Sequence, residues 1–126
     1  MTVSKYATQA GKRYETELLG YLREFGHDVE RLRLTGKEDE GDLLFRPYWQ
    51  TARVTHGPGR YVIEAKRTKS LDLAGWVKEA QVEAEHYAKH RDLLTPPGFL
   101  VVHKARNKSL GQSYVTTTLE EWLSWL

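Results

Sequence analysis

Apolar positions recur at helical spacing through residues 8–25, where Tyr14, Leu18, Leu22 and Phe25 mark one face and Gly26 supplies a C-terminal stop. The period then shortens to two. Residues 28–34 (DVERLRL) read as a strand with Arg31 and Arg33 on one face and Leu32 and Leu34 on the other. A polar loop at 35–41 (TGKEDEG) precedes two short, largely buried strands, 42–45 and 61–65. The connector 46–60 contains His56-Gly57-Pro58-Gly59 and exceeds the ~2–5 residues usual in a hairpin loop, so part of it has room to extend the hairpin. Residues 71–90 predict the longest helix, with a narrow stripe of Leu73, Val77, Ala80, Ala84 and Ala88 and Ser70 as its cap. Thr95-Pro96-Pro97-Gly98 breaks the chain, and 99–103 and 113–117 read as two more strands. A short helix closes the pattern, with Thr118 and Glu121 as a capping box and Leu119, Trp122, Leu123 and Leu126 as its apolar face; Trp122 is expected in the core. The order α-β-β-β-α-β-β-α predicts an α/β fold, a mixed sheet flanked by helices.

Composition narrows the possibilities. The chain's 126 residues suit one domain spanning 1–126, and 40% apolar with 29% charged residues is a globular balance. Zero cysteines exclude disulfides and thiolate zinc sites. No run approaches the ~20 apolar residues of a membrane span, and residues 1–14 lack a signal-peptide apolar core, so an intracellular protein without membrane contact is expected. Net charge is only +2, from 19 basic and 17 acidic side chains. A nucleic-acid surface would therefore need local segregation of charge.

The chemistry concentrates at Asp42 and at Ile63-Glu64-Ala65-Lys66. Asp42 and Glu64 are equidistant from residue 53, the middle of the connector, so a hairpin folded there sets them side by side at its open end. Strand alternation then puts Glu64 and Lys66 on one face. Two adjoining, partly buried carboxylates repel and call for a cation. Lys66 is one candidate. A divalent ion is the other, and hard oxygen donors favour Mg²⁺ or Mn²⁺. An ordinary surface Glu–Lys pair is the plainer alternative. On the first helix, at ~100° per residue, Glu15 lies within about 60° of Leu18, Leu19 and Leu22, whereas Glu17 points about 200° away. Glu15 is thus either a site residue or a carboxylate reaching out from the core margin. Gln81, beside Val77, Ala84 and Ala88, is either a supporting group for the site or a border residue of its helix. His86 and His90 have i, i+4 spacing but lie opposite the apolar stripe, with no Glu after His86, so they are not read as a zinc motif.

The series Gly11-x-x-x-Glu15, Thr35-Gly36, Gly41-Asp42 and Glu64-Ala65-Lys66, followed by Gln81-Val82-Glu83, resembles the PD-(D/E)XK nuclease superfamily over roughly residues 10–105. Within it the chain looks most like the small archaeal-type Holliday-junction resolvases, which phages also carry. Two features depart from that pattern. Gly41 stands where the family has Pro, and the connector 46–60, with Trp49, Arg53 and Arg60, is longer than a minimal resolvase needs.

The resemblance implies a restriction-endonuclease-like core, Mg²⁺-dependent hydrolysis of DNA phosphodiesters (Mn²⁺ substituting), a four-way junction as substrate and a homodimer making paired cuts. Asp42 and Glu64, helped by the Ala65 backbone carbonyl, would ligate the ion, with Glu15 joining directly or through water. Lys66 would orient the attacking water or stabilise charge on the phosphate. DNA contacts are expected at Arg31 and Arg33, at Thr35 and Lys37 in the polar loop, at Arg67 and Lys69, and at Lys104, Arg106 and Lys108, all cationic but Thr35, with much of the acid on outer helix faces. Trp125 and Trp49 fall off the apolar faces, which suggests a dimer contact or a DNA-facing aromatic. A nicking, restriction-like or repair nuclease keeps the same chemistry on another substrate. A non-catalytic DNA-binding module with the same fold is the alternative of a different class.

Overall fold

The computed structural model describes residues 5–33, 38–48 and 57–126, with side chains from residue 9. The order of elements is α1 (Lys5–Glu24), β1 (Asp28–Arg31), β2 (Leu43–Arg46), β3 (Tyr61–Lys66), α2 (Leu73–His90), β4 (Gly98–His103), a 3₁₀ turn (Leu110–Gln112), β5 (Tyr114–Thr116) and α3 (Leu119–Ser124). This is the expected α/β sequence of elements. The five strands form one sheet in chain order. β3 and β4 are parallel, joined through α2, and the other neighbours are antiparallel.

Alternation along the central strands separates two cores. Leu43, Tyr61 and Ile63 face α1, where Tyr14 and Leu18 cover them together with Val29, Leu100 and Val102. Leu44, Val62, Phe99 and Val101 face α2 and meet Trp76, Ala80, Ala84 and Tyr87. Ala80 and Ala84 let α2 approach the sheet closely, and the two aromatics fill the space on either side. The buried face of α2 is therefore rotated from the expected stripe: Trp76, Tyr87 and Glu83 are inside, while Leu73 is 38% exposed. Its cap is also two residues later than expected, with Asp72 rather than Ser70 accepting from the Gly75 N–H at 3.2 Å. Phe25, expected on the buried face of α1, lies exposed one residue beyond the helix, where Gly26 reverses the chain at φ +86°.

The C-terminal helix departs most. Thr118 caps it as expected, accepting from the Glu121 N–H at 3.0 Å. Glu121 does not return the bond; its carboxylate takes the Phe99 N–H at the start of β4 (3.2 Å). This turns Glu121 and Trp125 inward, Trp125 packing edge-on to Tyr61 at 4.9 Å. The expected core face, Leu119, Trp122, Leu123 and Leu126, is exposed. None of the helices among the described residues is long and apolar enough to cross a membrane.

Candidate metal centre

The β2–β3 register runs Leu43↔Ile63, Leu44↔Val62 and Phe45↔Tyr61, which extends to Asp42 opposite Glu64. The ladder ends there: the Asp42 N–H donates to the Ile63 carbonyl (3.1 Å), and the Leu32 N–H donates to the Asp42 carbonyl (2.9 Å). Asp42 Oδ2 accepts the Ala65 N–H at 2.8 Å, which holds the carboxylate against the end of β3. Ala65 itself sits between the two charged residues Glu64 and Lys66 at this strand end.

Gly41 sets the approach of the chain to Asp42. It has φ +105°, and a Cβ there would lie 2.5 Å from Val62 Cγ1. Proline, locked near −65°, cannot adopt that backbone, so the turn into Asp42 calls for glycine.

Glu64 is only 5% exposed. Burial, followed by the neighbouring Glu83 and Asp42 carboxyls, pushes its pKa far up. Glu83, 3% exposed on the inner face of α2, is raised to about 7 by burial and by the charges of Asp39, Glu79 and Asp42, which outweigh a favourable contact with Glu64. Glu15 is also raised to about 7, first by burial and then by the charge and hydrogen bond of Asp42. Its helix face thus brings it to the site. Arg31 and Lys12 oppose that rise. One oxygen each of Glu64, Glu79 and Glu83 lie within 4.8 Å of one another.

Lys66 is the counter-charge. Its Nζ is 2.8 Å from Glu79 Oε1 and 3.9 Å from Glu64 Oε1. Burial alone would lower its pKa, but the Glu79 hydrogen bond and the Glu64 charge push it up. One ammonium does not balance Glu15, Asp42, Glu64, Glu79 and Glu83. Glu64 Oε2 and Glu83 Oε1 are buried with no hydrogen-bond partner among the described residues, an expensive state for oxygen atoms that a cation or shared protons would relieve. Hard carboxylate oxygens suit Mg²⁺ or Mn²⁺.

The structure therefore gathers Glu15, Asp42, Glu64, Ala65 and Lys66, and adds Glu79 and Glu83. The expectation that the acid of the helices lies outward is corrected for Glu83, which is buried, whereas Glu79 is exposed but turned to Lys66. They are four residues apart, hence one above the other on α2; that spacing beside the Ala80/Ala84 stripe is the signal in the sequence that locates them. Gln81 is not a supporting group. It is set about 160° and 200° around the helix from its acidic neighbours and faces away, lining clefts with Glu121 and Trp125 and with Thr117 and Thr118.

Cations stand beyond the same strand ends. Arg67, Lys69, Lys104 and Arg106 line a cleft of about 540 Å³. Lys104 is partly engaged, its Nζ donating to the Ala105 carbonyl (3.1 Å) and to the Lys108 carbonyl. Lys108 and Arg33 are exposed. Arg31 is directed to α1, donating to Thr16 Oγ1 at 2.7 Å. Thr35, Lys37, Trp49 and Arg53 lie outside the described residues. His86 and His90 fasten α2 to the loop before Asp42. His86 Nδ1 meets the Asp39 carbonyl (2.7 Å), and His90 contacts Glu40 (2.6 Å) and Glu38 (3.0 Å). Arg91 completes the clasp on Glu40 at 2.7 Å.

No protein-family model matches the chain, and no curated protein matches it at a significant level.

Proposed function

We propose that the chain is a Mg²⁺-dependent, structure-selective DNA endonuclease of the PD-(D/E)XK type with a restriction-endonuclease-like core, acting on four-way junctions. The observation that carries this reading is the convergence of Asp42, Glu64, Glu83 and Lys66 at one strand end, with buried carboxylate oxygens left without partners. Supporting it is the adjoining cleft of Arg67, Lys69 and Arg106, where a phosphate backbone has cations to meet.

Glu64, Glu79 and Glu83, with one oxygen each within 4.8 Å of one another, would hold the cation, and Asp42 beside Glu64 is the further ligand the sequence pattern implies. When bound, the ion neutralises the scissile phosphate and makes water a better nucleophile at neutral pH. The chain's own groups do the rest. Glu15 shares a hydrogen bond with Asp42 and would set the orientation of that carboxylate. The Ala65 N–H holds Asp42 Oδ2 at 2.8 Å, which leaves Asp42 Oδ1 as the oxygen that would meet the ion. Lys66, with its Nζ 2.8 Å from Glu79 and 3.9 Å from Glu64, would present its ammonium to the attacking water or to a non-bridging phosphate oxygen. Hydrolysis joins the water oxygen to phosphorus and breaks the bond to one sugar oxygen, leaving a phosphate monoester and a hydroxyl.

The test is incubation with a synthetic four-way junction and the corresponding linear duplex in Mg²⁺ or Mn²⁺. Paired nicks on the junction, lost in Glu64→Ala and Lys66→Ala with binding retained, are expected. Equal cutting of both DNAs would replace the junction reading with a general nuclease. Metal-independent binding with no cutting would replace the enzyme with a binding module.

A further inference from the structure

Spacing alone does not make His86 and His90 a metal site; what surrounds their rings does. His86 Nδ1 lies 2.7 Å from the Asp39 carbonyl, and a carbonyl only accepts, so Nδ1 carries the proton. His90 Nδ1 lies 2.6 Å from Glu40 Oε2, which Arg91 also holds at 2.7 Å, so it too donates. Each ring is left with Nε2, and both Nε2 atoms meet one carboxylate. Glu38 Oε1 is 3.0 Å from His90 Nε2, and Glu38 Oε2 is 3.5 Å from His86 Nε2. An imidazole whose Nδ1–H is fixed by a backbone carbonyl or a carboxylate has the orienting partner that metal-ligating histidines use. A neutral ring so held turns its Nε2 lone pair toward an anionic oxygen. That is stable only with positive charge between the two, a second proton or a metal ion. Glu40 and then Glu38 push the His90 pKa up, so a proton can fill that role there. His86 approaches Glu38 only at 3.5 Å, longer than a charged hydrogen bond.

The charges around the rings suit a dication. Glu38, Asp39 and Glu40 set three carboxylates in succession against two cations at the end of α2, Lys89 on Glu38 (3.0 Å) and Arg91 on Glu40 (2.7 Å). Lys89 does not block the site, since its side chain is exposed and each carboxylate oxygen has a second lone pair. His86, His90 and Glu38 are themselves partly exposed, so an ion can enter and keep water in a fourth position. Two imidazoles and one carboxylate are a donor set for Zn²⁺ and its neighbours, not for Mg²⁺. The rings stack at 21° with 6.3 Å between centroids, so ligation tips them together around Glu38, which i, i+4 spacing on one helix face permits.

We propose that His86, His90 and Glu38 bind a divalent transition-metal ion of the zinc type, separate from the carboxylate centre, and that the ion staples α2 to the loop 38–41. Asp39, whose carbonyl holds His86, also accepts the Gly41 N–H through Oδ1 at 2.9 Å, so the staple reaches the turn into Asp42. The proposal rests on the ring partners and not on the hydrolase reading. Its test is calorimetric titration of the full chain with Zn²⁺, run in parallel on Glu64→Gln to separate this site from the carboxylate centre. One Zn²⁺ per chain should remain in Glu64→Gln, bound with release of protons, and X-ray absorption at the zinc edge of that variant should show two imidazoles. Introducing His86→Ala or His90→Ala into it should raise the dissociation constant by at least ~100-fold. Glu38→Gln, a change on the partly exposed loop, should act in the same direction and serves if a histidine variant misfolds. Absence of Zn²⁺ binding, its loss in Glu64→Gln, or an affinity unchanged by the histidine and Glu38 variants would overturn the proposal. Junction cleavage is measured separately, so loss of either result leaves the other standing.

Discussion

Glu64 combines the highest cost and the clearest purpose of any residue here. Its carboxylate is buried against Asp42 and Glu83, so its ionised form destabilises the ion-free fold. Glu64→Gln should therefore raise the melting temperature in EDTA by a few degrees, on the order of 1 kcal/mol, and reduce cleavage by ~10³-fold or more. Calorimetry and the junction assay check the two halves. The pH dependence has a definite sign. Glu15 and Glu83 bind protons more tightly when folded, about 7 against 4.5. Their protonation contributes stability that is fully present below about pH 4.5 and lost as pH rises through about 7. The ion-free protein should melt lower at about pH 8 than at about pH 5, and Mn²⁺ should raise the melting temperature more at the higher pH, where the carboxylates no longer hold protons. Gly41 carries a different prediction. Gly41→Ala forces a Cβ at φ +105° into Val62 and should cost about 1–3 kcal/mol in denaturant unfolding.

At the scale of elements, the strands were legible because their signals are local. Residue 53 as hairpin midpoint follows from placing Asp42 beside Glu64, and the observed ladder has that register. Helix faces were less legible. The stripe on α2 reads as aliphatic until Trp76 and Tyr87 are seen to fill the volume beside two alanines, a decision made by packing against the sheet and not by period. Glu79 and Glu83 were hidden for the same reason: a glutamate on a helix reads as solvated unless the sheet it faces is known to end in carboxylates. On α3 the hydrophobic stripe is exposed instead of buried, because Glu121 and Trp125 have the tertiary partners. The closeness of α2 to the sheet gives this scale its test. Ala84→Leu would wedge the helix outward, costing about 1–3 kcal/mol of stability and moving Glu79 and Glu83 off the site. Mn²⁺ affinity should fall alongside stability, measured by calorimetric titration.

The whole molecule segregates charge although its net charge is only +2. Acid converges on the end of β3, and the cleft of Arg67, Lys69, Lys104 and Arg106 lies beyond it. DNA binding in Ca²⁺, in place of Mg²⁺ to prevent turnover, should weaken steeply with salt. Arg67→Ala with Lys69→Ala should reduce the salt slope by about two counterions, read from anisotropy titrations. The acidic end has the more direct test. Crystals soaked in Mn²⁺ should show an anomalous peak at ~2.0–2.3 Å from oxygens of Asp42 and Glu64, with Glu83 or Glu79 turned toward it. Carboxylates that remain paired through shared protons, with no peak among them at saturating Mn²⁺, would contradict the account.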